Sequence, residues 1–262
     1  MKSIPILIAI ASPLLASVLT VLFGRLLGER VANISIAALI LSTGTALLSF
    51  YQILNSDPLA LALPGLPALL TPTVLVDRLA GIMMVLISVV SLVIHVYSRQ
   101  YMQGDPGYTR FFGLLSLLTF VLLTLVTSGH LLWFFLAWHT VTWLLATFIS
   151  FNRASAAARR AGRTTLLVQG FGDIALLLAI VALYAAFGTL DLTTLFHALD
   201  EMPSRPTLWT GTPFESDAIT TGTLLLVFAV MTKSAQFPYH IWSGPRSCRA
   251  TRYETETART WS

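Results

Sequence analysis

The residues able to do chemistry sit in apolar surroundings. The stretch AVMTKSAQFPYHIW, Ala229 to Trp242, carries Lys233, Pro238 and His240 inside an otherwise hydrophobic run. Two more ionisable side chains share that setting, His139 in LAWHTVTW and Asp173 in GFGDIALLLAI. At 1.5 Å per helical residue, Lys233 falls about 18 Å past Thr221, Asp173 about 13 Å past Thr164 and His139 about 12 Å past Leu131. A charge at the bilayer centre costs about 2.5–3.5 kcal/mol on insertion scales, and residues kept there mark ion paths or proton relays. Amine, imidazole and carboxylate together can hand a proton along a hydrated path. Each also has a plainer reading. Asp173, next to Gly172, fits a hydrogen bond to a neighbouring helix, and His139, among Trp138, Thr142 and Trp143, fits an interhelical donor. Lys233 lies too deep to snorkel and reads as functional. Pro238 removes a backbone donor five residues later and predicts a break in that helix. A break at membrane depth needs a cavity, water or neighbouring protein to satisfy the freed backbone.

Elements that could hold these residues follow from composition. The chain has 262 residues, 55% hydrophobic and 11% charged, against about 25% charged in soluble domains. Seven runs approach the length of a membrane span: 4–27, 31–53, 79–97, 111–128, 131–151, 164–187 and 221–242. The first carries Lys2, Pro5 and Pro13 without a convincing cleavage site and is read as a helix, not a leader. Sustained period-two alternation is missing, which argues against a barrel. The predicted fold is an all-α polytopic membrane protein of about seven helices, the last broken near Pro238. Residues 1–242 are read as the membrane domain. The polar stretch 243–262, SGPRSCRATRYETETARTWS, is read as disordered or frameshifted.

Basic residues suggest an orientation. Arg25, Arg30, Arg99, Arg110, Arg153, Arg159, Arg160 and Arg163 fall after the first, third and fifth spans, whereas the other side has Lys2, Arg78 and Arg205. The positive-inside rule places the Arg-rich loops in the cytoplasm of a cell inner membrane and the N-terminus outside. The net charge of +4 therefore points to loops facing the cytoplasm rather than to nucleic acid. The proline-rich connection 55–77 is read as non-helical, and LDLTTLFHAL, from Leu190 to Leu199, as a short interfacial helix. One cysteine, Cys248, excludes a disulfide framework and a cysteine-rich metal site. No cofactor motif for flavin, nicotinamide or iron–sulfur is present, so the chain by itself is read as catalysing no redox step.

Three stretches carry a resemblance. MTKSAQFPYHIW resembles the broken helix of the antiporter-like membrane subunits shared by respiratory complex I and multisubunit cation/proton antiporters. HVYSRQYMQGDPGYTRFF resembles the loop before their fourth helix, and GFGDIALLLAI their sixth helix. The resemblance implies that Lys233 is the central proton-handling residue and that Gly172 and Asp173 occupy the Gly-Asp of the sixth helix. The complex I and cation-antiporter members carry Trp-Glu in the fifth helix, whereas this chain has Trp138 followed by His139. Lys233 is therefore expected to lack an anionic partner. With SRQYMQGDP and RASAAARRAGRTT, this departure makes the chain look more like the membrane subunit of DAB-type inorganic carbon transporters. That likeness implies a large peripheral zinc-binding partner resembling a β-carbonic anhydrase, with the zinc in the partner. Other complex I or antiporter subunits are the alternative partners, in a proton-pumping NADH:quinone oxidoreductase or a cation/proton antiporter. Family members continue into an inverted second repeat, so the chain reads as truncated, and a non-functional fragment is a third reading.

Overall fold

The computed structural model describes residues 3–54, 58–62, 71–152, 154–200, 207–208, 216–236 and 239. Within these lie α1 (Ser3–Leu27), α2 (Val31–Leu54), α3 (Arg78–Tyr101), α4 (Tyr108–Thr127), α5 (Leu131–Ile149), α6 (Ala156–Phe187), a short α7 (Leu192–Asp200) and α8 (Ala218–Lys233). Six of them, α1 to α6, are long and apolar enough to cross a membrane, and α8 is shorter at 16 residues. The all-helical, multi-pass reading of the sequence holds. Two small antiparallel pairs interrupt it. In the proline-rich connection, β1 (Leu59–Ala62) pairs with β2 (Thr73–Val76), Leu59 opposite Val76. Further on, β3 (Thr207–Leu208) pairs with β4 (Ser216–Asp217). Residues 243–262 lie outside the described residues.

The chain forms two compact units, residues 1–137 and 138–262, with the boundary inside α5. In the first unit α1 packs on α2 and α4, α2 on α3, and α3 on α4. Lipid tails are as apolar as leucine, so helices associate in a bilayer through close approach and interhelical hydrogen bonds. Both devices are visible. Ser42 donates to the Ala9 carbonyl at 2.7 Å and Ser17 to the Gly113 carbonyl at 2.9 Å. A Cβ at Gly113 would meet Thr20 Cγ2 at 3.3 Å, and one at Gly81 would meet the Phe50 ring at 3.0 Å. Leu15, Val21, Leu22, Leu26 and Val93 remain exposed, the apolar surface that lipid covers.

In the second unit α6 lies along α8. The sequence reading began the sixth span at Thr164, but the helix starts eight residues earlier because Ser155 caps it, its hydroxyl accepting from the Ala158 N–H at 3.2 Å. Arg159, Arg160 and Arg163 are thus helical rather than in a loop. With 32 residues, α6 spans about 48 Å, well beyond the ~30 Å hydrocarbon core, which lets its basic first turns stand in the interface. Gly188 ends the helix in the left-handed region at φ +68°, a conformation that costs glycine little. Asp217 caps α8, accepting from the Ile219 N–H at 3.0 Å.

Candidate functional site

Lys233 is the last residue of α8. The Ser234 N–H still bonds the Val230 carbonyl at 2.9 Å, and Ala235 then turns to φ +51°. Pro238 keeps regular helix from running on through this region. If the helix continued, the Ser234 carbonyl would meet the ring of Pro238, which has no N–H to offer. Among the described residues of the span read as reaching Trp242, regular α-helix runs from Ala218 to Lys233. Pro238 and His240 lie outside the described residues.

Close approach of α6 and α8 sets the site. Gly172 faces Thr232 so tightly that a Cβ on Gly172 would meet the Thr232 Cβ at 2.9 Å and overlap its hydroxyl. The next residue on each helix is the charged one, Asp173 on α6 and Lys233 on α8. Lys233 Nζ stands 3.6 Å from Asp173 Oδ1. This corrects the expectation that Lys233 lacks an anionic partner. The carboxylate missing after Trp138 is supplied from another helix, where spacing along the chain gave no sign of it.

Around the pair, α5 contributes a ring of polar contacts. Lys233 Nζ donates to the Trp138 carbonyl at 3.0 Å and to the Thr142 hydroxyl, and it sits 5.1 Å from the centre of the Trp138 ring. Thr142 donates in turn to Asp173 Oδ2 at 2.8 Å. His139 Nδ1 lies 2.8 Å from the same oxygen, and Trp143 Nε1 donates to His139 Nε2 at 2.9 Å. An indole nitrogen only donates, so His139 Nε2 accepts and its proton sits on Nδ1, pointing at Asp173. Thr142 and His139 both donate to one carboxylate that is 2% exposed, and Lys233 and Trp143 donate to groups around it. Two unit charges about 4 Å apart attract by about 4 kcal/mol at an effective dielectric near 20. Hydrogen bonds to charged groups add about 1.5–3 kcal/mol each, enough together to hold ions whose insertion costs about 2.5–3.5 kcal/mol apiece.

Three of the residues singled out in the sequence, Lys233, Asp173 and His139, are thus brought together. Thr142 had been noted only as a neighbour of His139. Its place at i+4 from Trp138 and i+3 from His139 puts all three on one face of α5, and that was the available signal for its bridging position.

The Gly172 contact makes a prediction. Gly172→Ala is expected to cost about 1–3 kcal/mol of stability, as overpacking does, because turning the Thr232 side chain leaves its Cβ in place. Gly222→Ala is the comparison, since a Cβ there meets the Leu183 side chain no closer than 3.3 Å and the Ala179 carbonyl at 3.9 Å. Thermal unfolding in detergent should fall for the first variant and stay near the parent for the second.

Comparisons with known proteins bear on the family and the fold. A family model described as NADH:quinone oxidoreductase/Mrp antiporter, TM, matches residues 128–245, and one described as NADH-ubiquinone oxidoreductase (complex I), chain 5 N-terminus, matches residues 70–112. The "Probable inorganic carbon transporter subunit DabB1" of Halothiobacillus neapolitanus is 35% identical over 235 residues, covering 88% of this chain and 40% of that protein. NADH-ubiquinone oxidoreductase chain 5 of Metridium senile is 32% identical over 251 residues, covering 90% of this chain and 38% of that protein. The chain thus spans about two-fifths of the length of these relatives. Among solved structures, one of the Mrp complex from Dietzia sp. superposes with a TM-score of 0.74 at 25% identity, covering 92% of this chain and 25% of the other. The membrane-bound sulfane sulfur reductase, an archaeal respiratory membrane complex, reaches 0.78 at 18% identity over 95% of this chain and 48% of the other, a likeness of fold alone.

Proposed function

As the chain belongs to the family of antiporter-like membrane subunits of complex I and multisubunit cation/proton antiporters, we propose that it moves protons through the Lys233–Thr142–Asp173–His139 group. The observation that carries this reading is an amine and a carboxylate joined by one hydroxyl inside a membrane bundle. Lys233 gives a proton to the Thr142 oxygen as Thr142 passes its own to Asp173 Oδ2. The products are a neutral amine and a neutral carboxylic acid, so no net charge is stranded in the bilayer. Desolvation favours that neutral pair, whereas the Coulomb attraction favours the ion pair. A small change in hydration or in the α6–α8 distance shifts the balance, which is what a gated proton step needs.

Within the family, the reading we favour is an ion-conducting subunit that energises inorganic carbon uptake together with a peripheral zinc-binding, carbonic-anhydrase-like partner. The likeness to DabB1 and His139 following Trp138 support it. The similarity to chain 5 of NADH-ubiquinone oxidoreductase supports a second reading, a proton-translocating subunit of a respiratory or antiporter complex. Co-expression with the zinc-protein candidate, in a host whose growth requires added bicarbonate, tests the two. Growth in air is expected for carbon uptake. No rescue, with the chain instead recovered among NADH dehydrogenase subunits, would favour the second reading.

The basic residues support a location in the cell inner membrane with the N-terminus outside. Reporter fusions after Arg160 should read cytoplasmic and fusions near Pro213 external. The reverse pattern would overturn that orientation.

A further inference from the structure

A proton path through this group needs a route to water. Two observations in the second unit supply one. First, α6 buries Thr165, Gln169 and Asp173 at intervals of four residues, a single polar line on one face of the helix. Thr165 satisfies its hydroxyl on its own helix, donating to the Ala161 carbonyl at 3.0 Å. Gln169 does not. It is fully buried, and among the described residues neither its Oε1 nor its Nε2 has a hydrogen-bond partner; Asp173 Oδ1 also accepts no hydrogen bond. A buried amide with both ends unpaired is rare in folded proteins, where internal water commonly satisfies such groups.

Second, a cleft of about 310 Å³ opens at the basic end of α5 and α6, lined among others by Trp143, Thr147, Ser150, Arg159, Arg163 and Leu166. The cleft is large enough to admit water. Leu166, at its inner end, is one helical turn from Gln169, and Gln169 is one turn from Asp173. Residues so spaced lie about 6 Å apart at Cβ, a gap that one water bridges between an amide and a carboxylate. The antiparallel register of α6 and α8, with Gly172 facing Thr232, puts Gln169 level with the chain just past Lys233. There the regular helix has ended and Ala235 has turned to positive φ.

We propose that Gln169 is a water-positioning residue that links this cleft to the Asp173–Lys233 pair and serves as the entry step of the proton path. The amide holds water with its carbonyl and its NH₂ at once, yet carries no charge to trap the proton, and Asp173 Oδ1 takes the inner end of the chain. The inference rests on the reading of Lys233 as a proton site.

Its test has two arms. A structure of the chain in lipid nanodiscs, at a resolution that shows ordered water, should reveal density within hydrogen-bonding distance of both Gln169 and Asp173. A dry contact filled by side chains would overturn the proposal. In vesicles with an internal pH dye, Gln169→Leu should lower proton flux roughly 10-fold or more, short of the ~100-fold or more for loss of a group that itself transfers the proton, while its thermal unfolding stays at or above that of the parent. Gln169→Glu and Gln169→Ser, which still hold water, should stay within about threefold of the parent on the same reasoning. Parental flux in Gln169→Leu would overturn the entry role. Lys233→Ala separates the two ideas: flux kept there but lost in Gln169→Leu removes Lys233 from the path and leaves the water step standing.

Discussion

Lys233→Ala is expected to bring proton flux down by roughly 100-fold or more, the size of effect that loss of a positioned proton-transfer group produces. Assembly should survive, because alanine is the best helix former and removing a midplane charge eases insertion. The residue left behind, Asp173, can take up a proton and keep the hydrogen bonds from Thr142 and His139. Lys233→Arg should fail as well, for the opposite reason. Guanidinium keeps the positive charge and the ion pair but does not release a proton at working pH. The pair of variants distinguishes titration from electrostatics. Flux lost in alanine but kept in arginine would mean that Lys233 acts as a fixed charge. Full flux in both would leave it a structural residue. Both proteins should be compared at matched amounts in vesicles, with thermal unfolding recorded alongside.

The second large effect is expected at the carboxylate. Asp173→Asn preserves shape and can still accept from Thr142 and His139, but it offers Lys233 no charge across the 3.6 Å gap. Flux should fall on the order of 100-fold, since the hydroxyl bridge then ends on an amide that cannot receive the proton. A second substitution tests whether position matters or only charge. The resemblance places glutamate after the tryptophan of the fifth helix, so His139→Glu in the Asp173→Asn background returns a carboxylate to the same cluster from α5. Partial recovery of flux is expected there. Introduced alone, His139→Glu sets two carboxylates beside one amine, strengthens the hold of Lys233 on its proton and slows turnover. The two changes should therefore be strongly non-additive, as residues sharing one network are. Additive losses, with no recovery in the double variant, would show that Asp173 does more than balance charge.

Much of this protein was legible before its structure. Six spans and the short helix α7 follow from apolar run length and spacing. The break expected near Pro238 falls in the right region, although the regular helix already ends at Lys233, five residues earlier. Lys233, Asp173 and His139 stood out for one physical reason: an ionisable group costs so much in hydrocarbon that its retention calls for an explanation. The misses have physical reasons too. The β1–β2 pair was hidden because the prolines around it, such as Pro58 and Pro72, argue against helix but do not specify pairing. Gln169 drew no attention because an uncharged amide is unremarkable in a row of letters. Only its burial without a partner made it conspicuous.

By itself, the sequence determined what belongs in the membrane: a helical bundle and three ionisable side chains within its spans, with a helix that breaks near Pro238. Those are consequences of local chemistry and of the dielectric around the chain. Which of the three meet was decided only by the tertiary structure. The letters offered Lys233 no carboxylate, because the relevant one is 60 residues away in the chain (173 to 233) and becomes adjacent only through helix packing. Gly172 has no side chain to hold α8 away, so Thr232 seats against it and the next residue on each helix is carried into contact. Pairing of charges falls off steeply with distance in space and is blind to distance along the chain, so it stays undetermined until the helices are in place.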